Sequence, residues 1–227
     1  MLANSTPSLL RLLQLVSPAL PVGAFSYSEG LETLVQTERI TNAATLQQWL
    51  AQELQYGAIR VETAVLSQMY EWVKQSDLQQ INVWNQWLSA FRETEELREQ
   101  SWQMGRSLIR LLADLDPALQ TVLSQIQEPC NFATAFAIAA AHWEIDRFST
   151  VLGYLQSWAA NLVNAGIRLI PLGQTQGQKL LLDLYPIIES SAKEAIDLPL
   201  DSLYCCSWGL TIASMNHETL YTRLFRS

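Results

Sequence analysis

The spacing of apolar residues constrains the fold of this chain more than any other feature, because they recur at steps of three and four. From Arg147 to Leu169 these steps put the apolar side chains on one stripe of a helix, and Ala43 to Tyr56 and Glu93 to Leu115 repeat the pattern. Leu203 to Leu220 predicts the last helix, and the alanine-rich segment Ala133 to Ala141 predicts a helix that a neighbour can approach closely. The alternation typical of a β-strand is almost absent.

Proline, glycine and aspartate residues divide the chain into segments of helical length. The predicted breaks fall at 18–23, near Gly57, around Asp77, and at 116–117, 128–129, 171–173 and 198–199. Eight to ten helices joined by short turns follow from these breaks, without a repeat or a long linker. The sequence therefore predicts an all-α fold, a single compact bundle over residues 1–227. Residues 1–8 are expected to be flexible, and the C-terminal tail, residues 221–227, to be flexible or ordered by a partner.

Charge and cysteine content exclude several classes of protein. Fourteen basic and 22 acidic residues give a net charge of −8, which lacks the basic face typical of nucleic-acid binding. The three cysteines, an odd count with one adjacent pair, do not suit a disulfide framework and favour a reducing compartment. No signal peptide is evident, and the longest apolar run, Phe132 to Ala141, is shorter than the ~20 residues of a membrane-spanning helix. We therefore expect a cytoplasmic protein that binds neither nucleic acid nor membranes.

The motifs of common reaction centres are missing from the sequence. There is no G-x-x-x-x-G-K-[ST] loop, no G-x-G-x-x-G and no H-E-x-x-H. His142 and His217 lie far apart, and Cys205-Cys206 lacks the spacing of zinc ligands, so the pair is interpreted as packing in the last helix. We predict no metal site, no cofactor and no catalytic residue, so the chain is not expected to be an enzyme.

A serine near the N-terminus has a structural interpretation. Ser26 does not lie in G-x-S-x-G, whereas Ser26-x-x-Glu29 fits a capping box that opens the helix containing Leu31. At the other end, His217 and Glu218 are adjacent on a helix and point about 100° apart, so a salt bridge at the helix end is expected in place of an acid–base pair.

Three sequence segments are more informative about the protein's family than its composition is. They are Ser17-Pro18-Ala19-Leu20-Pro21-Val22-Gly23-Ala24-Phe25-Ser26-Tyr27-Ser28-Glu29-Gly30-Leu31-Glu32, then Arg168-Leu169-Ile170-Pro171-Leu172-Gly173-Gln174-Thr175-Gln176-Gly177-Gln178, and Ser214-Met215-Asn216-His217-Glu218 running into Tyr221-Thr222-Arg223-Leu224-Phe225-Arg226-Ser227. In this order and spacing they closely resemble the UreF family of urease accessory proteins, over nearly the whole chain from about Leu9. Ala24, Glu29 and Thr222 depart from the family's usual glycine, glutamine and serine. Ala24 would be strained if its turn needs a positive φ.

The resemblance implies a non-enzymatic helper in the maturation of nickel urease. Proteins of this family are all-helical homodimers that bind the accessory protein UreD (UreH in some organisms) and the GTPase UreG. Through these partners they act on apo-urease, whose active site receives nickel. A scaffold of this kind needs neither a P-loop nor a resident metal site.

Both chain ends contribute candidate partner-binding residues. These are Tyr27 and Glu32 in the first segment, and His217, Glu218, Tyr221, Arg223, Leu224, Phe225, Arg226 and Ser227 in the third. In the tail, Leu224 and Phe225 would be apolar anchors, and the arginines would form charge-assisted bonds to a partner. The competing interpretation is a tail packed on its own domain. For Tyr27 and Glu32, contact with the GTPase or a route for nickel competes with a purely structural turn.

Two alternatives remain open at this level. The chain either bridges UreD and UreG or also alters the GTPase rate, which would require an arginine finger chosen from Arg39, Arg60, Arg92 and Arg106. A different class is a helical ligand-binding or regulatory protein unrelated to urease.

Overall fold

The computed structural model describes residues 6–227, and this range contains eleven α-helices and no β-strand. The helices are α1 (Thr6–Leu15), α2 (Leu31–Gln36), α3 (Ala43–Tyr56), α4 (Ala58–Lys74), α5 (Leu78–Phe91), α6 (Glu95–Leu115), α7 (Gln120–Leu123), α8 (Phe132–His142), α9 (Arg147–Leu169), α10 (Gln174–Asp197) and α11 (Trp208–His217). The predicted all-α fold is confirmed. The count exceeds the predicted eight to ten because α7, a single turn, forms within the segment between two predicted breaks.

The predicted flexible N-terminus and the predicted helix bounds can be compared with these ranges. Residues 1–5 lie outside the described residues, and Thr6 to Ser8 form the first turn of α1. The bounds predicted for α3 and α9 are those observed, whereas α11 begins five residues later than predicted. Within residues 6–227, no helix combines the length and the apolar character that crossing a bilayer requires.

Side-chain caps explain where several helices begin. The side chain of the residue before the helix accepts a hydrogen bond from a backbone N–H of the first turn at α3, α5, α6 and α9, which begin after Asn42, Asp77, Thr94 and Asp146. Such caps satisfy donors that the helix itself leaves unpaired.

The capping box predicted at Ser26 and Glu29 is wrong. Helix α2 begins at Leu31 after Gly30, which adopts a φ of 75°, and Ser26 Oγ donates to the carbonyl of Gly23 instead. Ala24 is not among the residues with positive φ, whereas Glu29 is, with a φ of 52°. The positive φ considered for Ala24 therefore occurs at Gly23 and Gly30, where it is sterically allowed, and at Glu29, where it is unfavourable.

Helix α8 lies at the centre of the bundle, packed against α4 and α6, while α9 packs against α10 and α4. Its alanines are all buried, and their small side chains allow neighbouring backbones to approach closely, as the sequence predicted. Phe136 at the middle of α8 stacks edge-on against Tyr154 of α9, with ring centroids 5.0 Å apart. This arrangement forms one continuous core around α8.

The loop before α8 is fastened by a buried polar network. Asn131 donates from its side chain to the carbonyl oxygen of Asn85 at 2.8 Å, and its side-chain oxygen accepts from Ser101 Oγ at 3.0 Å. The backbone approach at this point requires a glycine, because a Cβ at Gly105 of α6 would lie 2.1 Å from the carbonyl oxygen of Cys130.

We predict that Gly105→Ala lowers the free energy of unfolding by about 2 kcal/mol or more, because overpacking against fixed backbone cannot be relieved by a side-chain rotation. Gly173→Ala is the matched control, since a Cβ there meets nothing within 4 Å, and its effect should stay within about 0.5 kcal/mol. Urea denaturation of the two variants measures both values. Equal effects would contradict the close approach of α6 to the loop.

Candidate docking site at the C-terminal tail

The site is built around one carboxylate in the first turn of α2. Glu32 is 4% exposed, and its carboxylate accepts hydrogen bonds from the backbone N–H groups of Leu224, at 2.8 and 3.1 Å, and of Phe225, at 3.0 Å. The tail forms no helix or strand here, so its buried N–H groups need acceptors from elsewhere. Glu32 supplies them across 192 and 193 positions of sequence.

A buried histidine connects this carboxylate to a second one. His217, at the end of α11, lies with Nε2 3.4 Å from Glu32 Oε2 and with Nδ1 2.7 Å from Glu96 Oε2. Arg223 of the tail binds the other oxygen of Glu96 at 2.8 Å. The imidazole thus lies between two carboxylates and connects α2 with α6. The contact predicted at this helix end is made by His217, whose imidazole turns inward to Glu32 and Glu96, whereas Glu218 is exposed.

The last residues of the tail are bound to the turn that precedes α2. Ser227 accepts at its carbonyl oxygen from Ser28 N–H at 2.8 Å and from Ser28 Oγ at 2.6 Å, and Arg226 N–H donates to the carbonyl of Ser26 at 2.8 Å. Ser227 Oγ also donates to Gln100 Oε1 of α6 at 2.6 Å. The tail is therefore held by hydrogen bonds of its backbone N–H and C=O groups and of the Ser227 side chain.

The aromatic side chain of the tail is buried as well. Phe225 is 4% exposed, and the guanidinium of Arg168 in α9 lies 4.4 Å from the centre of its ring. Arg168 also donates to the carbonyl of Phe25 at 3.0 Å. A cation over an aromatic face is stabilising, and this one connects the tail, α9 and the turn at residue 25.

The ten predicted partner-binding residues divide by exposure. Tyr27, Glu32, His217, Phe225 and Ser227 are buried, whereas Glu218, Tyr221, Arg223, Leu224 and Arg226 are exposed. The buried residues hold the tail in place, and contact with another protein would require them to leave these positions. The exposed residues are free to meet a partner, and their role in doing so stays a prediction.

Sequence reasoning missed an apolar stripe on α11. Trp208, Ile212 and Met215 follow at steps of four and three and are 75%, 57% and 58% exposed. Tyr221 is fully exposed, and Leu224 is 53% exposed. Because Glu96 contacts both His217 and Arg223, the end of α11 lies beside the tail. We call these five residues the α11–tail surface. The lack of charged residues from Trp208 to Asn216 was the signal that could have revealed it.

The segment before α11 is anchored by a second buried carboxyl group. Ser207 Oγ accepts from Ala58 N–H at 2.7 Å and donates to Glu53 Oε2 at 3.2 Å, while Cys206 N–H donates to the carbonyl of Tyr56. These bonds keep residues 203–207 out of the helix. Burial raises the pKa of Glu53 to about 7, against the opposing effect of the Ser207 hydrogen bond.

The predicted packing role of the adjacent cysteines is wrong. Both Cys205 and Cys206 lie before the helix, Cys206 is exposed, and Cys205 is half-buried. Among residues 6–227, no group of three or more His, Cys, Asp or Glu side chains is placed to hold a metal ion.

Two of the four candidate arginines are bound inside the protein. Arg60 pairs with Glu194 and Arg92 with Glu62. Burial alone would lower the pKa of Arg92, but the carboxylates of Glu62 and Glu29 more than reverse this and raise it, so the side chain stays charged. Arg39 and Arg106 are exposed. Of the four candidates, these two are the exposed ones.

The fold and the site define a class: an all-helical bundle that fastens its own C-terminal segment beside an exposed apolar helix face. The family model for UreF matches residues 40–185 of the chain. Among its relatives, the urease accessory protein UreF of Trichormus variabilis is 56% identical over 218 residues, which cover 96% of this chain and 95% of the relative. The protein of the same name from Microcystis aeruginosa is 58% identical, and the alignment covers 96% of this chain and 97% of the relative. That of Thermosynechococcus vestitus is 52% identical, with 97% of this chain and 98% of the relative covered.

The chain belongs to the UreF family. The resemblance carried by the three sequence segments is thereby confirmed, and the alternative of a protein unrelated to this family is wrong.

We predict that Glu32→Gln loosens the tail and lowers stability, because an amide cannot accept from both backbone N–H groups and also face His217 with a negative charge. Loss of a buried charged acceptor should cost about 2–3 kcal/mol. Hydrogen exchange at Leu224 and Phe225 and thermal unfolding measure the two effects. Glu218→Gln, a change of the same kind on an exposed side chain, serves as the control. Unchanged exchange at both amides would contradict the role assigned to Glu32.

We predict that Glu53 makes the fold less stable as pH rises. Its pKa is raised from 4.5 to about 7, so its favourable contribution is complete below pH 4.5 and is lost as pH passes 7. Glu53→Gln should therefore gain stability relative to the unaltered protein between pH 5 and pH 8, by up to about 3 kcal/mol. Urea titrations at the two pH values provide the comparison, with the exposed Glu99→Gln as control. A difference that does not change with pH would contradict this account.

Proposed function

We propose that the chain is a non-enzymatic accessory protein of urease maturation, needed for nickel insertion into the urease active site. Membership of the UreF family supports this role, as does the name urease accessory protein that its relatives carry. Nickel is the cargo of this process and need not rest on this chain. The work of the protein is then to bring other proteins together in the right arrangement.

The observation that carries the proposal is the fastened tail. Its backbone is held by Glu32, Ser28 and Ser26, while the side chains of its last four residues alternate between exposed and buried. Phe225 and Ser227 point inward, so Leu224 and Arg226 face outward. A segment ordered before binding loses less conformational entropy when a partner docks. We propose that UreD (UreH) is the partner that docks here.

The chemistry of the α11–tail surface suits a protein partner. Its five residues are apolar or aromatic and exposed, a composition enriched at the centre of interfaces. Arg223 and Arg226 lie at its edge in the tail and can form charge-assisted hydrogen bonds with carboxylates or carbonyls of the partner. Tryptophan, tyrosine and arginine are the residue types enriched among the energetically dominant contacts of protein interfaces.

The second partner is UreG, which supplies the GTPase that this chain lacks the P-loop to provide. We propose that the chain bridges UreD and UreG and, through them, reaches apo-urease in the cytoplasm. The family resemblance further implies a homodimer, which would present each site twice. A direct effect on the GTPase rate is the alternative mechanism, and it would act through Arg39 or Arg106, the two exposed candidates.

We predict that Leu224→Asp abolishes co-purification with UreD and lowers urease activation in cells supplied with nickel. A charge in the centre of an apolar contact leaves a desolvated carboxylate without a partner, which should weaken binding at least about 30-fold. Because Leu224 is 53% exposed, the free protein should keep its melting temperature.

Leu182→Asp is the matched control, since Leu182 of α10 is 58% exposed and carries the same change outside the α11–tail surface. Undiminished binding of Leu224→Asp to UreD would exclude the docking surface. Equal losses in both variants would show that the effect is a general one of surface charge.

A further inference from the structure

The turn before α2 and the C-terminal tail hold each other in place. Ser28 donates from its N–H and from its Oγ to the carbonyl oxygen of Ser227, at 2.8 and 2.6 Å. Ser26 accepts at its carbonyl oxygen from Arg226 N–H at 2.8 Å. The residue after Ser28 is Glu29, whose φ of 52° lies in the left-handed region that is unfavourable for a residue with a side chain. Such a conformation persists only where the surrounding contacts hold it, and here the contacts with the tail do so.

The same turn directs the carboxyl group of Glu29 between two long helices. This group accepts from Gln100 Nε2 of α6 at 2.9 Å and from Trp158 Nε1 of α9 at 3.0 Å. Gln100 in turn accepts from Ser227 Oγ at 2.6 Å through its side-chain oxygen. Glu29 is thus connected to the tail by two routes, through the backbone of Ser28 and through one amide side chain.

The other charged and titratable groups around this carboxyl group come from four helices or their ends. They are Glu53 of α3, Glu62 of α4, Arg92 at the end of α5, and Tyr154 and Arg168 of α9. Loss of solvent has the largest effect and raises the pKa of Glu29 above its ordinary value of 4.5, against the opposing charge of Arg92. The carboxyl group therefore keeps its proton to a higher pH in this turn than it would in water.

Ionisation of Glu29 and release of the tail are linked because both depend on the same turn. Without the bonds to Ser227 and Arg226, the turn is free to leave its left-handed conformation, and the carboxyl group reaches water. Water stabilises the ionised form, so Glu29 loses its proton more readily when the tail is released. A group whose pKa is higher in one state favours that state at low pH, and this contribution is lost as the pH rises.

We propose that Glu29 and the C-terminal tail form a pH-sensitive switch, in which loss of the proton from Glu29 favours release of the tail. At low pH the neutral carboxyl group stays between α6 and α9, and the tail stays bound to Ser26 and Ser28. As the pH rises, opening of the turn gives the ionised group access to water. The switch is a property of the free chain. Under the proposed function, it would make the order of the UreD-binding segment before docking depend on pH.

The test is amide hydrogen exchange of the full chain, measured by NMR between pH 5 and pH 8. Protection factors remove the pH dependence of the exchange chemistry itself, and the amides of Ser28 and Arg226 report the bonds between turn and tail. We expect their protection to fall by up to about tenfold per pH unit from the ordinary pKa of Glu29 to its raised pKa, and then to stay constant. Glu29→Gln keeps an acceptor oxygen and carries no titratable group, so this fall should be absent from it.

Other titratable groups also contact the tail, namely Glu32 directly and Glu96 through Arg223. They are the same in both proteins, so the ratio of protection factors, unaltered protein over Glu29→Gln, isolates the contribution of Glu29. We expect this ratio to fall at least about tenfold between pH 5 and pH 8. Glu38→Gln is the matched control, since Glu38 is an exposed glutamate with a φ of 58°. The protection of this variant should follow that of the unaltered protein at every pH.

Two results of this experiment would overturn the proposal. The first is a ratio that does not change with pH. The second is an equal loss of protection at Ile138, which lies fully buried in α8, because the tail would then open only when the whole protein unfolds.

A second measurement leaves Glu29 unaltered and keeps the proposal testable if Glu29→Gln fails to fold. Phe225→Ala removes the buried anchor of the tail, so the tail opens more often. Because coupling is reciprocal, Glu29 should then titrate at a lower pH than in the unaltered protein. The chemical shift of its carboxyl carbon gives both midpoints, and equal midpoints would show that Glu29 and the tail are not coupled. These outcomes do not bear on docking of UreD, which is tested separately through Leu224.

Discussion

The rest of the site depends on the hydrogen bonds that the buried Glu32 carboxylate accepts from two backbone N–H groups. A carboxylate in the interior is costly unless hydrogen bonds and charge satisfy it, and buried N–H groups are costly without an acceptor. The carboxylate therefore supplies the acceptor that the two N–H groups need, and these groups supply hydrogen bonds to the carboxylate. His217 of α11 adds a further contact to it. Helix α2, helix α11 and the tail are stabilised together because none of them satisfies its polar groups alone.

This mutual dependence explains how a chain end becomes a defined surface. Terminal segments are usually loosely held, but here the inward residues of the tail enter the bundle and Arg168 covers the ring of Phe225. The outward residues then occupy fixed positions beside the exposed face of α11. Two anchors at the ends of that helix, Glu53 with Ser207 and Glu96 with His217, set its orientation. The position of the proposed docking surface thus follows from the hydrogen bonds that buried polar groups form.

Much of the fold could be read from the sequence, since helix formation is governed by local spacing. The bounds of α3 and α9 followed from apolar periodicity and a nearby break. The start of α11 did not, because residues 203–207 bond to Tyr56, Glu53 and Ala58, which are remote in sequence. The pairing of Glu32 with the tail was equally invisible to local patterns. The motifs at both chain ends contain the residues that hold the tail, such as Glu32 and Phe225, but they could not show which of their side chains face inward.

Gln100 links two parts of the molecule that otherwise appear separate. Its side-chain oxygen accepts from Ser227 in the tail, and its nitrogen donates to Glu29 in the turn before α2. One amide cannot reorient for one neighbour without altering its bond to the other. A shift of Ser227 that reorients this amide would therefore also alter the hydrogen bond that Glu29 accepts, and coupling of this kind is reciprocal. The C-terminal tail and the turn that contains Glu29 are in this sense parts of one hydrogen-bonded network.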